Sequence, residues 1–123
     1  MKIAFDIDGT MTVHEIARLF IMLHMLRLAD LELYFLTGEI GSLDEMPDPR
    51  GRVKQLAEIL KWSEPNPDCL IHICRAPTML SVAGQKAMFC KKHNIDLFID
   101  DQPMFINTVR ALSPKTVCLQ VHA

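Results

Sequence analysis

The chain has 123 residues, 50% of them hydrophobic and 23% charged, which describes one globular domain over 1–123 and not a disordered or multi-domain polypeptide. Thirteen Lys and Arg against fifteen Asp and Glu leave a net charge of −2. No basic run exceeds Lys91, Lys92 and His93, so adsorption to nucleic acid or to a membrane is disfavoured.

The longest uninterrupted apolar run, Leu19 to Leu23, is far short of the ~20 residues that cross a bilayer. The first strand-like run begins at Lys2, which leaves no space for a signal peptide; a cytoplasmic protein is expected. Cys69, Cys74, Cys90 and Cys118 lie in apolar stretches without a C-x-x-C pair, so they read as buried free thiols and not as a zinc site or a disulfide framework.

Short apolar runs alternate with segments of helical period. Ile3-Ala4-Phe5 is the first strand. The helix Ile16–Leu28 follows, with Ile16, Leu19, Phe20, Leu23 and Leu26 as one stripe and Ile21, Met22, Met25 and Leu28 spread over the remaining circumference. A helix that is apolar all round needs cover on more than one side, which predicts a homo-oligomer. Leu31 to Leu36 is the second strand, and the acidic stretch Gly38 to Gly51 is the longest loop. Asp48-Pro49 caps a helix carrying Val53, Leu56, Ala57 and Leu60 on one face.

Cys69 to Cys74 is the third strand, and Leu80, Ala83, Ala87 and Cys90 form the stripe of the next helix. The basic last turn of that helix, Lys91, Lys92 and His93, suits the negative end of its dipole. Leu97-Phe98-Ile99, a helix after Pro103 bearing Phe105, Val109 and Leu112, and Thr116 to Val121 complete βαβαβαβαβ. Continuous apolar strands between helices predict an α/β, Rossmann-like three-layer sandwich around a five-stranded parallel sheet.

Ligands of such sheets bind outside the carboxyl ends of the strands, where strand order reverses. The first strand runs into Asp6-Ile7-Asp8-Gly9-Thr10, the second into Thr37-Gly38 and the fourth into Asp100-Asp101. Carboxylates gathered at ~4–5 Å repel by several kcal/mol and call for a cation. Oxygen donors without His or Cys suit Mg²⁺, which shares its shell with phosphate, so the chemistry suggested is phosphoryl transfer at magnesium.

On these motifs the sequence resembles the haloacid dehalogenase-like phosphatase superfamily over Lys2 to Val121. The match rests on D-x-D-x-T at Asp6 to Thr10, Thr37 closing the second strand, Lys86 before the fourth, and Asp100-Asp101 after it. The resemblance implies an enzyme, a Mg²⁺-dependent phosphomonoester hydrolase acting through an aspartyl phosphate on a small phosphorylated metabolite such as a sugar or nucleotide phosphate. It implies Asp6 as nucleophile and Asp8 as acid and base with a raised pKa. It makes Thr37 and Lys86 the groups that hold the phosphoryl, with Gly38 and Arg75 as further substrate-binding residues. Asp6, Asp8 and Asp100 are the implied metal residues, with Asp101 supporting. Lys91 and Lys92 compete with Lys86 but would lie at the opposite edge of the sheet.

Both positions where the superfamily inserts a cap are nearly empty here, so a capless, open site is expected. It fits a small substrate covered by a neighbouring subunit or a macromolecular one. Two other readings use the same residues: an interaction or phosphate-binding module with weak catalysis, and a response-regulator receiver domain. Receivers place the acidic pair after the first strand and a lysine after the fifth, and Val117 to His122 has none. His14-Glu15 is followed by Arg18 where a zinc motif needs His.

Overall fold

The computed structural model describes residues 1–26, 28–61 and 70–122. Cys69, expected to open the third strand, lies outside them. Strands β1 (Lys2–Phe5), β2 (Glu32–Ile40), β3 (Leu70–Ala76), β4 (Leu97–Asp100) and β5 (Val117–Gln120) alternate with helices α1 (His14–Leu26), α2 (Arg50–Leu60), α3 (Met79–Lys92) and α4 (Pro103–Leu112). The sheet order is β3-β2-β1-β4-β5, and every pair is parallel. The α/β three-layer fold with a five-stranded parallel sheet is therefore present.

Alternation along the strands divides the core into two layers, because successive side chains point to opposite faces. Ile3, Phe5, Leu33, Phe35 and Ile99 pack with Phe20 of α1 and with Leu56 and Leu60 of α2. Phe20 meets Phe5 edge-on at 5.4 Å and Phe35 at 4.7 Å between ring centroids. Ala4, Leu36, Cys74 and Phe98 face the other way, against Ala83, Ala87, Ile106 and Val109 of α3 and α4.

Local chemistry sets the helix ends. Thr78 caps α3, its hydroxyl accepting from the Ser81 amide at 3.2 Å. Asp48 accepts from the Arg50 amide at 3.0 Å, but the N-cap of α2 is Pro49, so the proline precedes the first turn and Asp48 lies before the cap. Asn94 beyond α3 takes the left-handed conformation, φ 54°, which Asn tolerates better than most residues.

Several boundaries differ from expectation. β2 runs on to Ile40 and β3 to Ala76, so Thr37, Gly38 and Arg75 are strand residues and not loop residues. Seven residues of β3 pair along β2, and this ladder draws the start of the expected loop into the sheet. On α1 the buried residues are Ala17 and Phe20, with Ile16, Ile21 and Leu23 packed alongside, whereas Leu19 and Leu26 are exposed. The buried stripe is thus rotated from the expected one. β5 is an edge strand whose Val117 and Leu119 are exposed, so its apolar run is not covered on both faces.

Candidate functional site

β1 and β4 are neighbours at the point where the chain order of the strands reverses, the position at which open α/β sheets bind ligands. Asp6 follows β1 directly, and its amide donates to the Ile99 carbonyl at 2.9 Å. Asp100 is the last residue of β4. Beyond Asp6 the chain makes one irregular turn through Ile7–Met11 in which Gly9 has φ 74°. A Cβ there would collide with the Asp101 carboxylate, so a glycine is needed for space as well as for the positive φ.

Lys86 enters from α3, two turns after its start. It is fully buried, and its Nζ donates to Asp6 Oδ1 at 3.0 Å and to Asp100 Oδ2 at 2.7 Å. The ammonium lies 4.2 Å from the centroid of Phe105. Thr10 donates to Asp6 Oδ2 at 3.3 Å, and the Gln102 amide to Asp100 Oδ1 at 3.0 Å. One carboxylate oxygen from each of Asp6, Asp100 and Asp101 falls within a common 4.8 Å. Asp101 Oδ1 and Thr37 Oγ1 are buried without a hydrogen-bond partner among the described residues. Such orphaned oxygens are uncommon in interiors and call for a ligand.

Three carboxylates face one ammonium. Burial pushes the Asp6 carboxyl up to about 7, and the charges of Asp100 and Asp101 add to this against the opposing pull of Lys86. Burial also raises Asp100. Lys86 would lose its proton more easily on desolvation alone, but Asp6 and Asp100 hold its pKa above the ordinary value. The oxygen-only donor set, with an unpartnered carboxylate oxygen, fits a hard divalent cation.

The other expected site residues separate into two groups. Gly38 and Asp8 line the same cleft of about 250 Å³ as Asp6 and Asp101. Arg75 instead turns to Glu39 at 2.8 Å and Glu45 at 2.7 Å and is not among the residues that line the cleft. The raised pKa expected of Asp8 is not found. Burial does raise it, but hydrogen bonds from Gln55 and Arg52, each at 2.8 Å, outweigh that and hold its carboxyl below the ordinary carboxylate range.

No sequence signal points to this clamp. Arg52 also reaches Glu39 at 3.3 Å and the Gly38 carbonyl at 3.3 Å. Arg52 and Gln55 are three residues apart, so they share a face of α2. What that face meets is decided only by the packing of α2 beside the turn after β1.

Fold and site together define a doubly wound α/β protein with an acidic cluster and a buried lysine at the switch point. No protein-family model matches the chain, and no curated protein matches it. Among solved structures it is similar to one described as "Crystal structure of universal stress protein in complex with cAMP", at 10% sequence identity and a TM-score of 0.52. That match covers 99% of this chain and 97% of the other. Likeness at that identity concerns the fold.

These findings correct the family expectation. The solved structure found similar over 99% of this chain is a universal stress protein and not a haloacid dehalogenase-like phosphatase. The assignments as a member of that superfamily, as an enzyme and as a phosphomonoester hydrolase fall with it. Asp6 to Thr10 and Asp100-Asp101, which carried the resemblance, lie at the switch point of the sheet and do not by themselves fix a family. Among the described residues, no helix is long and apolar enough to cross a membrane.

Proposed function

We propose that this chain binds Mg²⁺ together with a phosphorylated small molecule at the switch-point cleft. The observation that carries this reading is Lys86, fully buried and bonded to both Asp6 and Asp100 beside Asp101. Burying such a constellation costs several kcal/mol per ion, and packed apolar side chains would often be as stable or more so. Its presence at the ligand-binding edge of the sheet therefore points to binding.

Asp6, Asp100 and Asp101 would hold the ion, which supplies positive charge for phosphate oxygens. Lys86, whose ammonium is taken up by Asp6 and Asp100, offsets part of their charge and does not itself line the cleft. The orphaned Thr37 hydroxyl supplies a donor, and Gly38 keeps the floor of the cleft free of a side chain. Arg75, committed to Glu39 and Glu45, stands outside this set. A ligand such as the cAMP held by the similar universal stress protein has the required phosphate.

The test is calorimetric titration with Mg²⁺ and inorganic phosphate. Phosphate binding that needs Mg²⁺ and is lost in Asp100→Asn is the expected result. Absence of any Mg²⁺-dependent heat in the wild type overturns the reading.

We infer further that the chain pairs with a second copy of itself through α1 and the exposed residues of β5 that lie on the same side of the sheet. The surface that supports this is apolar and exposed: Met22, Met25 and Leu26 are 60%, 74% and 61% exposed, and Val117 is 66% exposed. The described free thiols, Cys74, Cys90 and Cys118, suit a reducing compartment such as the cytoplasm. Burial pushes the first two up to about 12, so they are poor nucleophiles.

A further inference from the structure

The cleft has a mixed lining. Asp6, Asp8 and Asp101 share it with Ile40, Met79, Val82 and Phe105. Ile40 and Met79 are 56% and 40% exposed. They are large apolar side chains at a rim with no described core to serve. Val82 and Phe105 continue that surface inward, and Phe105 reaches beneath the Lys86 ammonium. Gly38 leaves the wall open, since a Cβ there would come within 2.6 Å of Val82 and 3.9 Å of Phe105.

The cations next to the cleft are already committed. Arg52 is shared by Asp8 and Glu39, and Arg75 by Glu39 and Glu45. Glu39 itself lines the cleft, and both its carboxylate oxygens are taken by Arg52 and Arg75, so neither arginine is free to meet a second phosphate. Lys86, bonded to Asp6 and Asp100, offsets those carboxylates and does not line the cleft. This arrangement leaves the ion held by the carboxylates as the charge for one phosphate, with apolar surface for what that phosphate is attached to.

We propose that the ligand is a monophosphate carrying an uncharged apolar or aromatic body, which lies on Ile40, Met79, Val82 and Phe105. The inference rests on the Mg²⁺–phosphate reading above and specifies its ligand class. Polyphosphates are disfavoured because Arg52 and Arg75 are committed to carboxylates and do not line the cleft. Polyol phosphates are disfavoured because their hydroxyls would lose water against hydrocarbon without gaining partners.

Four probes titrated with Mg²⁺ separate the possibilities: inorganic phosphate, phenyl phosphate, glycerol 3-phosphate and pyrophosphate. Phenyl phosphate should bind about tenfold more tightly than inorganic phosphate, the gain that burial of one ring face gives, and glycerol 3-phosphate no more tightly than inorganic phosphate. Met79→Ser and Ile40→Ser should lower the ratio of phenyl phosphate to inorganic phosphate affinity. Leu80→Ser, 68% exposed and outside the cleft, should leave that ratio as it is. If glycerol 3-phosphate or pyrophosphate equals or exceeds phenyl phosphate, the ligand class is wrong while the cation–phosphate site stands. If none of the four binds with Mg²⁺, both inferences fall.

Discussion

Asp6 and Lys86 set the pH behaviour of the molecule. The Asp6 carboxyl is raised from 3.8 to about 7 in the folded chain, so between about pH 4 and 7 the native state keeps a proton that the unfolded state has released. Stability then falls as pH rises through that window. Asp100 acts in the same direction, while the raised Lys86 loses its contribution only above its own, higher pKa. The metal-free melting temperature should therefore be lower at pH 7.5 than at pH 5, and Asp6→Asn should flatten the difference. A wild-type profile that rises over this interval would show that the carboxylate is not held protonated. Lys86→Met leaves Asp6 and Asp100 without their counter-charge, a loss of roughly 3–5 kcal/mol for a broken buried pair. The loss should be smaller at pH 5, where Asp6 holds a proton; urea unfolding at both pH values measures this. Asp6 and Asp100 were legible in the sequence because each falls at a strand end, whereas Lys86 was named only through the family resemblance. The Arg52–Asp8 and Arg75–Glu39 pairs were not legible. A guanidinium chooses its carboxylate across 44 and 36 residues of chain, and no spacing rule reaches that far.

Two glycines around α3 separate close packing from open space. Gly38 lies on β2 against α3, and its missing Cβ is what lets Val82 approach; Gly84 lies within α3, and a Cβ there meets nothing within 4 Å. Gly84→Ala should raise stability by roughly 0.5–1 kcal/mol, because alanine has the higher helix propensity and restricts the unfolded chain. Gly38→Ala should lower it by about 1–3 kcal/mol through overpacking and should narrow the cleft. Chemical denaturation of the two variants tests this, and a Gly38→Ala protein as stable as the wild type would mean that α3 moves away without cost. The strands and helices were readable from periodicity because the apolar runs of β1, β2 and β4 coincide with buried ladders, while the run of β5 marks an edge strand with one face exposed. Their ends were not: β2 gained Thr37 to Ile40 from pairing with β3, a tertiary contact that no local pattern encodes. The family expectation failed for a related reason. A switch point puts the ends of β1 and β4 side by side whatever the family, so acidic residues at those ends do not identify one, and the likeness to the solved structure at 10% identity concerns the fold.

For the whole molecule the decisive feature is uneven cover. In a sheet ordered β3-β2-β1-β4-β5, α1 and α2 pack on the face that carries Phe5 and Phe35. The register sets Val117 beside Leu97 and Leu119 beside Ile99, so both project from that same face, and both are exposed. The outer side of α1 adds Leu19, Met22, Met25 and Leu26, exposed at helical spacing. Soluble monomers seldom show contiguous apolar surface beyond a few hundred Å², and larger patches mark interfaces. A twofold axis near Met22 would set the apolar half of α1 against itself in antiparallel fashion. It would also bring Arg18, exposed near the amino end, toward the carboxyl end of the opposing helix, where the dipole is negative. Light scattering at micromolar concentration should then report a particle of twice 14.0 kDa. Met22→Glu should reduce it to the single mass, because it buries an unpaired charge at the axis. Lys54→Glu, on the exposed side of α2, should leave it intact. A wild-type particle of 14.0 kDa would show that the α1 face stays open to solvent in the free protein.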